Sequence, residues 1–487
     1  MPDILNIGVT GLHSSKKSLE TTSHNIANVN TEGYSKQRVH QSSNSPISKG
    51  GLIQGTGANI NRIARDHDQF VEKRLNSNIS SGEYFKHRSE QLEQVENIFN
   101  EIDQDGLNKV LNKFFNSFRE LSNAPENETI RSVVRDNAAL VSKDFNRINE
   151  TLGGLVDGIN RKVEGEVHEI NEITKRISFL NRKIATLEVV KSETGDMRDK
   201  RDDLVRELSK SFKIHTYQDE KGRYVVSAVN VGTLVTGANV AELATGPVSA
   251  SSSKSGMPGA VEVFFKKRPA GSITHKFKSG RISSLIRVRN EDIKQLYEKV
   301  DLIAHEMTQT VNAIHRRGFV NRKVELDANG NPALNDAKGP TTGLNFFKSL
   351  DEVKGASQKI DLEDAIKNDL TNIATALSPN SPGDNRVAVA ISKIQHERVI
   401  GGGVATLEES YLSSIGNLGL QTRKASLDGE QADGLLALTN NIKQRVSGVS
   451  LDEEASNMVR YQQAYEANAK IMQTADEMIK TILAIKR

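Results

Sequence analysis

The apolar residues of the last 37 positions recur at a spacing of seven, which is typical of a helix that packs along another helix. At 1.5 Å per residue, positions 451–487 would form a helix roughly 55 Å long, longer than most helices of small domains. Two rows, offset by three places, form one narrow apolar face, and we expect a partner helix along its length. The rows contain Leu451, Met458, Tyr465, Met472 and Ile479, and Tyr461, Ala475 and Ile482.

Residues 4–28 carry a matching row at the other end of the chain. The row consists of Leu5, Leu12, Leu19 and Ile26, again at a spacing of seven. The remaining face is rich in Ser, Thr and Asn, which are weak helix formers in isolation. We therefore predict that the two ends form an antiparallel coiled coil. The small polar face would remain free for neighbouring subunits, and the apolar rows of both helices, except Ala475, are our candidate subunit-packing residues.

The middle of the chain predicts long helices with one β-rich interruption. Residues 35–65 are polar and glycine-rich, which indicates an extended connector. Helical spacing of apolar residues follows from about 66 to 210, with a break at 123–126 around a proline and a kink or a break at 153–158 around three glycines. Residues 211–280 are rich in Val, Tyr and Thr, with a turn signal at 219–222 and a Ser/Gly-rich stretch at 249–259.

These patterns predict a mainly α, elongated, multi-domain fold with a β-rich insertion. Residues 1–65 and 440–487 would form a terminal coiled-coil domain. Residues 66–210 and 281–439 would form a helical bundle with minor β structure. Residues 211–280 would form a small outer β domain, because an antiparallel layout should place the middle of the chain far from both ends.

Composition narrows the possible functions. The chain has no cysteine, which excludes disulfides and cysteine-ligated metals. Its 65 basic and 62 acidic residues give a net charge of +3, so bulk charge gives no reason to expect a nucleic-acid partner. No stretch approaches the roughly 20 apolar residues of a membrane span, and the first residues do not resemble a cleaved secretory signal. We expect no membrane insertion.

The chemically suggestive motifs are incomplete. His305 and Glu306 begin like a zinc-protease motif, but Gln309 stands where the second histidine should be, and His396-Glu397 fails in the same way. The glycine triplet at 401–403 lacks the lysine of a phosphate-binding loop. A basic stretch at 254–289 lacks aromatic residues in a nucleic-acid pattern, which favours a solvated face. We predict no catalytic, cofactor-binding or metal-binding residue and no enzyme activity.

Several short motifs resemble a known family. The segments SLETTSHNIAN (18–28) with Gly33-Tyr34, and YQQAYEANA (461–469) with TADEM (474–478), resemble the two ends of bacterial flagellar axial proteins. The segments SGVSLDEEA (447–455), DKRDDLVRELS (199–209) and GDN (383–385) resemble the hook-associated protein 1 branch of that family. Ser450 departs from the usual asparagine of that pattern, and the β-rich insertion is short.

The resemblance implies a structural subunit that joins the flagellar hook to the filament. Such a subunit assembles on the hook tip through its terminal helices, which makes the terminal coiled coil its axial inner domain, and offers a surface to the next junction protein. Expected partners are the hook protein, the second hook–filament junction protein, copies of itself, and a cytoplasmic export chaperone on the C-terminal helix. The protein would be extracellular, in the flagellum, after export through the flagellar type III channel without a cleaved signal peptide, and only transiently cytoplasmic.

Three other interpretations remain at this point. The chain could be another axial protein, from the hook or the rod. A cytoplasmic coiled-coil scaffold would also explain the apolar rows at both ends. A soluble enzyme is the third, although no catalytic constellation supports it.

Overall fold

The computed structural model describes residues 2–49, 52–99, 106–190, 193–220, 223–247, 257, 259–327 and 331–485. Within these residues the chain is mainly α-helical. The helices are α1 (Pro2–Ala27), α2 (Gln69–Glu96), α3 (Leu107–Asn123), α4 (Glu128–Val189), α5 (Gly195–Ser211), α6 (Gly280–Arg287), α7 (Lys294–His315), α8 (Ala356–Lys359), α9 (Asp364–Asn368), α10 (Arg386–Lys393), α11 (Leu407–Ser447) and α12 (Leu451–Ile485). A π-helical segment, Val288–Ile293, joins α6 to α7.

The strands are short and antiparallel, and they form separate small sheets. The strands are β1 (Gln37–Ser43), β2 (Ile47–Lys49), β3 (Leu52–Gln54), β4 (Ala58–Arg65), β5 (Ile214–Gln218), β6 (Tyr224–Ala228), β7 (Gly232–Thr236), β8 (Asn239–Val240), β9 (Leu243–Pro247), β10 (Val261–Phe265), β11 (Arg268–Ser272), β12 (Asn335–Asp336) and β13 (Gly339–Pro340). Their orders are β1-β4, β2-β3, β5-β6-β7-β8, β11-β10-β9 and β12-β13.

Side-chain caps define where three long helices begin. Asp68 accepts hydrogen bonds from the backbone N–H groups of the first turn of α2, and Asn127 does the same for α4. Thr406 and Glu409 form a reciprocal capping box at the start of α11. These caps satisfy N–H groups that have no partner inside the helix, so each boundary follows from local sequence.

The helices are arranged as a terminal pair, formed by α1 and α12, and a bundle. Helix α1 packs along α12, and α2 packs along α11. Helix α4 has 62 residues, about 93 Å at 1.5 Å per residue, and packs against α3, α5, α6 and α7. The glycines at 153, 154 and 158 do not interrupt it, so a break at that place, one of the two alternatives raised by the sequence, is wrong.

One continuous core runs through the bundle. It includes a cluster of phenylalanines whose ring centroids lie 5.0–5.9 Å apart in mostly edge-on arrangements. The cluster joins α3 to the segment after α7. Its members are Phe114, Phe115, Phe118, Phe346 and Phe347.

Two buried basic side chains fix the loop at 370–376 to the helices. Arg131 of α4 donates to the carbonyl oxygens of Pro125 at 2.6 Å and Ile373 at 2.6 Å. The Nδ1 atom of His315 lies 2.8 Å from the carbonyl oxygen of Leu344, and its Nε2 accepts from Ala374 N–H at 2.9 Å. Nδ1 therefore carries the proton of the neutral ring, and burial lowers the pKa of His315 to about 4.

The expected connector at 35–65 is a long β-hairpin. Strand β1 pairs with β4 from Gln37 opposite Arg65 to Ser43 opposite Ala58, with an irregularity between His40 and Gln41. The segment forms a hairpin because α1 packs against its strands, and an isolated two-stranded hairpin is stable only when it packs against another element.

The expected outer β domain shares its core with the helices. Val226, Val235 and Val263 are fully buried and belong to the same apolar cluster as α4. Asn160, Asn171 and Asn181 of α4 bond to backbone groups of this region, so the sheets lie beside the second half of α4. The loop at 370–376 lies at the opposite end of α4 from the terminal pair. The expectation that 211–280 lies furthest from the chain ends is therefore wrong.

Parts of several sequence expectations lie outside the described residues. They include positions 50–51 of the connector, 100–105 and 191–192 of the helical stretch, 221–222 of the turn at 219–222, most of the Ser/Gly-rich stretch with Lys254, and the last two residues of the C-terminal helix. Among the described residues, no helix is both long and apolar enough to cross a membrane.

Candidate assembly surface on the terminal helices

Helices α1 and α12 form an antiparallel pair. A Cβ atom placed on Gly8 would lie 2.9 Å from Met472 Cγ, and one placed on Gly11 would lie 2.5 Å from Asn468 Oδ1. Further along, Asn25 Nδ2 donates to Glu454 Oε2 at 3.2 Å. Residue numbers thus rise along α1 as they fall along α12. The two glycines allow a close approach that any larger residue would prevent.

The structure divides the predicted packing residues into two groups. On α1, all four are half-buried, and on α12 another four are half-buried: Leu5, Leu12, Leu19, Ile26, Met458, Tyr461, Met472 and Ile479. The remaining three stay exposed, with 52% of Leu451, 37% of Tyr465 and 47% of Ile482 accessible to solvent. Ala475, which lies in the second apolar row, is fully buried. The apolar face of α12 is therefore only partly covered by α1.

The small polar face of α1 is buried, contrary to expectation. Its buried members are Ser14, Ser15, Ser18, Thr21, Thr22 and Asn25. This face lies between α12 and the β1–β4 hairpin, where small side chains let two neighbours approach at once. The hydroxyl of Thr21 donates to the Lys17 carbonyl at 2.9 Å, and Ser14 bonds to Gln41 of β1, so burial leaves these groups satisfied.

Asn25 joins the three elements of the terminal region. Its amide nitrogen donates to the Gln37 carbonyl at 3.0 Å and to Glu454, while its oxygen accepts from Gln37 N–H at 2.9 Å and Tyr34 hydroxyl at 2.8 Å. Burial, assisted by Asp196 and Asp199, raises the pKa of Tyr34, so its hydroxyl stays a donor. Asn25 is 1% exposed. All four hydrogen-bonding positions of the side chain are used.

The start of α12 is attached to the hairpin by charges. Glu453 lies 3.0 Å from Arg38 Nη2 and 3.8 Å from Lys36 Nζ. The backbone N–H of Lys36 donates to the Ser447 carbonyl at 2.9 Å, at the end of α11. The turn between α11 and α12 therefore contacts the residues that follow α1.

Residues that apolar spacing does not reveal are central to this surface. Asn25, Asn468 and Glu454 are polar, and Gly8 and Gly11 have no side chain. The one available signal is the pair of glycines three residues apart on a helix, a spacing that places both on one face.

The other chemical candidates form no site in the described part of the chain. No group of three or more His, Asp or Glu side chains there could hold a metal ion. Gln309, in the incomplete protease motif, donates to the Leu350 carbonyl at 2.7 Å. The basic stretch is not one solvated face, because Arg289 is fully buried and donates to Asn160 and Val261. Burial lowers the pKa of Arg289 to about 10.

Three family descriptions match the chain. Residues 92–335 match the helical domain of the flagellar hook-associated protein FlgK, which is half of the chain. Residues 444–485 match the C-terminal region of the flagellar basal body rod FlgEFG proteins, and residues 5–34 match the flagella basal body rod protein.

Curated relatives match over nearly the whole length. The flagellar hook-associated protein 1 of Bacillus subtilis is 29% identical over 509 residues, covering 97% of this chain and 96% of the relative. The flagellar hook-associated protein 1 of Escherichia coli is 24% identical over 556 residues, and the match covers 100% of both chains. The solved structure of the flagellar hook junction protein FlgK from Burkholderia pseudomallei, 14% identical, matches the fold with a TM-score of 0.63 over 77% of this chain and 100% of that one. This chain belongs to the family of the flagellar hook-associated protein FlgK.

Proposed function

We propose that this protein is a structural subunit of the bacterial flagellum that joins the hook to the filament. It assembles on the hook tip through its terminal helices and offers a surface to the second junction protein. The observation that carries this proposal is the incompletely covered apolar face of α12. Leu451, Tyr465 and Ile482 stay exposed although α12 already has one partner in α1, and an exposed apolar row on a long helix is a contact surface for further chains.

The length of this surface supports contacts with more than one partner. A helix of 35 residues, about 52 Å long, can contact several neighbours along its length. Copies of the same chain would lie beside it, with the hook protein below and the second junction protein above. In the cytoplasm, a dedicated export chaperone would cover α12, because a row of exposed apolar residues otherwise promotes self-association. Export would occur through the flagellar type III channel.

Deletion of the gene, with complementation by variants, tests the proposal. Cells without the gene should keep hooks and lack filaments. The variant Tyr465→Asp should fold and be made normally, yet fail to restore filaments, because a carboxylate would be buried in an apolar contact between subunits. Electron microscopy of isolated hooks and filaments gives the readout.

The matched control is Gln463→Asp, which adds the same carboxylate two residues away at an exposed position of α12. We expect this variant to restore at least some filaments. Normal filaments with Tyr465→Asp would show that the exposed apolar face of α12 is not an assembly contact. Normal filaments in the deletion strain would overturn the proposed function.

A hook or rod subunit is the second candidate, because the matches at both ends are to rod proteins. The deletion separates the two. Loss of a rod or hook subunit removes the hook as well, whereas loss of a junction subunit leaves it in place.

A further inference from the structure

The first turns of α5 hold the terminal region against the bundle. Four carboxylates lie there within eight residues, and we call them the α5 carboxylate cluster: Asp196, Asp199, Asp202 and Asp203. Asp196, Asp199 and Asp202 have partners in residues 24–65, more than 130 positions earlier in the chain, whereas Asp203 pairs with Arg206 of α5 and lies beside Gly33. The motif at 199–209 therefore contacts the segment that follows the motif at 18–28.

Arg65, at the end of β4, is the central partner of this cluster. Its Nη1 lies 2.6 Å from Asp199 Oδ1, and its Nη2 lies 2.6 Å from Asp202 Oδ2. The two carboxylates are three residues apart on α5 and so share one face of the helix. All three side chains are about nine-tenths buried. Burial alone would lower the pKa of Arg65, but Asp202 and Asp199 more than offset this and raise it.

The other carboxylates hold the turn that follows α1. Asp199 accepts from the backbone N–H of Ser35 at 3.0 Å, and Asp196 accepts from Gln37 Nε2 at 2.7 Å. Asp203 fills the space beside Gly33, whose φ of +83° favours glycine, so that a Cβ atom there would collide with the carboxylate. These contacts attach alternate residues of the chain, from the turn to the start of β1, to one helix of the bundle.

Polar contacts of the α5 carboxylate cluster join α5 to the turn and the hairpin, whereas Leu204, Val205 and Leu208 of α5 belong to the core of the bundle. The orientation of the terminal pair thus depends in part on these hydrogen bonds and ion pairs, together with the bond from Lys36 to the end of α11. Such contacts are directional, so they can fix an angle that apolar packing alone would leave adjustable.

We propose that the α5 carboxylate cluster and Arg65 are positioning residues for assembly: they fix the angle between the terminal pair and the bundle. This inference rests on the proposed function, because only an assembling subunit has to present α12 at a set angle to its neighbours. The pair amplifies any change in that angle. A tilt of about 10° would move the far end of a helix of about 52 Å by roughly 9 Å, more than the width of a side-chain contact.

Distance measurements between two spin labels test the inference on the purified chain. The chain contains no cysteine, so Gln473→Cys on α12 and Gln431→Cys on α11 provide two defined labelling sites, both exposed. The parent should give one narrow distance distribution. Arg65→Ala, and the double variant Asp199→Ala with Asp202→Ala, should broaden it. Arg62→Ala, on the same strand but at an exposed position, should leave it narrow.

A conservative variant protects the test against misfolding. Arg65→Lys keeps the positive charge, but a single ammonium group cannot bridge both carboxylates as the guanidinium does. It should fold, with a helical circular dichroism signal equal to that of the parent, and still broaden the distribution. A distribution as narrow as that of the parent in Arg65→Lys and in the foldable alanine variants would overturn the inference.

Filament growth gives the second readout and separates the two proposals. Arg65→Ala and Arg65→Lys should reduce filament number in the deletion strain, and Arg62→Ala should not. A broadened distribution with normal filaments would overturn the positioning role while leaving the junction function intact. Normal filaments in the deletion strain itself would overturn the junction function, whatever the distance distribution shows.

Discussion

Replacing Asn25 with leucine should release the terminal pair without unfolding the bundle. Leucine has the branched shape and the number of heavy atoms of the asparagine side chain, but its methyl groups are bulkier, so some overpacking adds to the loss of hydrogen bonds. The polar partners lose their hydrogen bonds: the N–H and carbonyl of Gln37, the hydroxyl of Tyr34 and the carboxylate of Glu454. The perturbation therefore acts on hydrogen bonding at the point where α1, α12 and β1 meet.

The size of the effect follows from which groups can find new partners. The Tyr34 hydroxyl already lies 3.0 Å from His24 Nδ1, so it keeps a partner. The two backbone groups of Gln37 are on the strand edge that faces α1, and Glu454 is 4% exposed. A buried polar group left without a partner costs about 1–3 kcal/mol, and three such groups remain, so even the lower end of that range gives roughly 3 kcal/mol in all. This corresponds to an increase of at least roughly 150-fold in opening of the terminal pair.

Amide hydrogen exchange followed by mass spectrometry measures this opening. Peptides from α1 and α12 should exchange faster in Asn25→Leu, while peptides from α4 should exchange at the parent rate. The control is Asn6→Leu, the same substitution at an exposed position of α1. Equal exchange of α12 in the two variants would refute the role assigned to Asn25. Faster exchange of α4 as well would refute the independence of bundle and terminal pair.

Further predictions concern packing and pH. Gly8→Leu should also open the terminal pair, because a Cβ atom at position 8 would already lie 2.9 Å from Met472 Cγ. Gly154→Ala should instead stabilise α4 by about 0.5–1 kcal/mol in a denaturation experiment, because its added Cβ atom would have no atom within 4 Å. Replacing 213–279 with a Gly/Ser linker should lower the melting temperature of the bundle or prevent folding, because side chains of this region belong to the core of the bundle. An unchanged melting temperature would show that this region is a separate β domain. His315 is neutral when folded because burial lowers its pKa to about 4, whereas the unfolded ring titrates near its ordinary value. The free energy of unfolding should therefore fall as the pH drops from about 6.5 towards 4, by at most roughly 3 kcal/mol. The urea midpoint of His315→Gln should lack this contribution to its pH dependence. The same pH dependence of the midpoint in both proteins would contradict the assignment.

Local patterns predict the elements well because each element has its own period. The rows of apolar residues at a spacing of seven predict α1 and α12 as helices, and the enrichment in Val, Tyr and Thr predicts the strands between 214 and 272. The resemblance of motifs to flagellar axial proteins predicts the family, and the comparisons confirm it. Apolar spacing is read over a short stretch of sequence, and a family motif is read from the identity of neighbouring residues, so neither signal requires knowledge of contacts between distant residues.

The packing of these elements is not contained in the same patterns. Apolar spacing leaves the Ser/Thr face of α1 free for neighbouring subunits, whereas small residues are buried where two elements of one chain approach closely, as Ser18 and Thr22 are. The contact of Ser35 with Asp199 joins residues 164 positions apart, and no local period reports such a distance. The shared core of α4 and the strands is missed for the same reason.

Chemical labelling of α12 in assembled flagella tests the central claim most directly. Single-cysteine variants at Leu451, Tyr465 and Ile482 can be made cleanly, because the chain has no cysteine of its own. We expect a maleimide reagent to modify all three in the purified chain and to be excluded from them in isolated hook–filament complexes. A cysteine at Phe70, an exposed position outside the terminal pair, should report the accessibility of the bundle in the same samples. Equal modification of the three α12 positions before and after assembly would contradict assembly through the terminal helices.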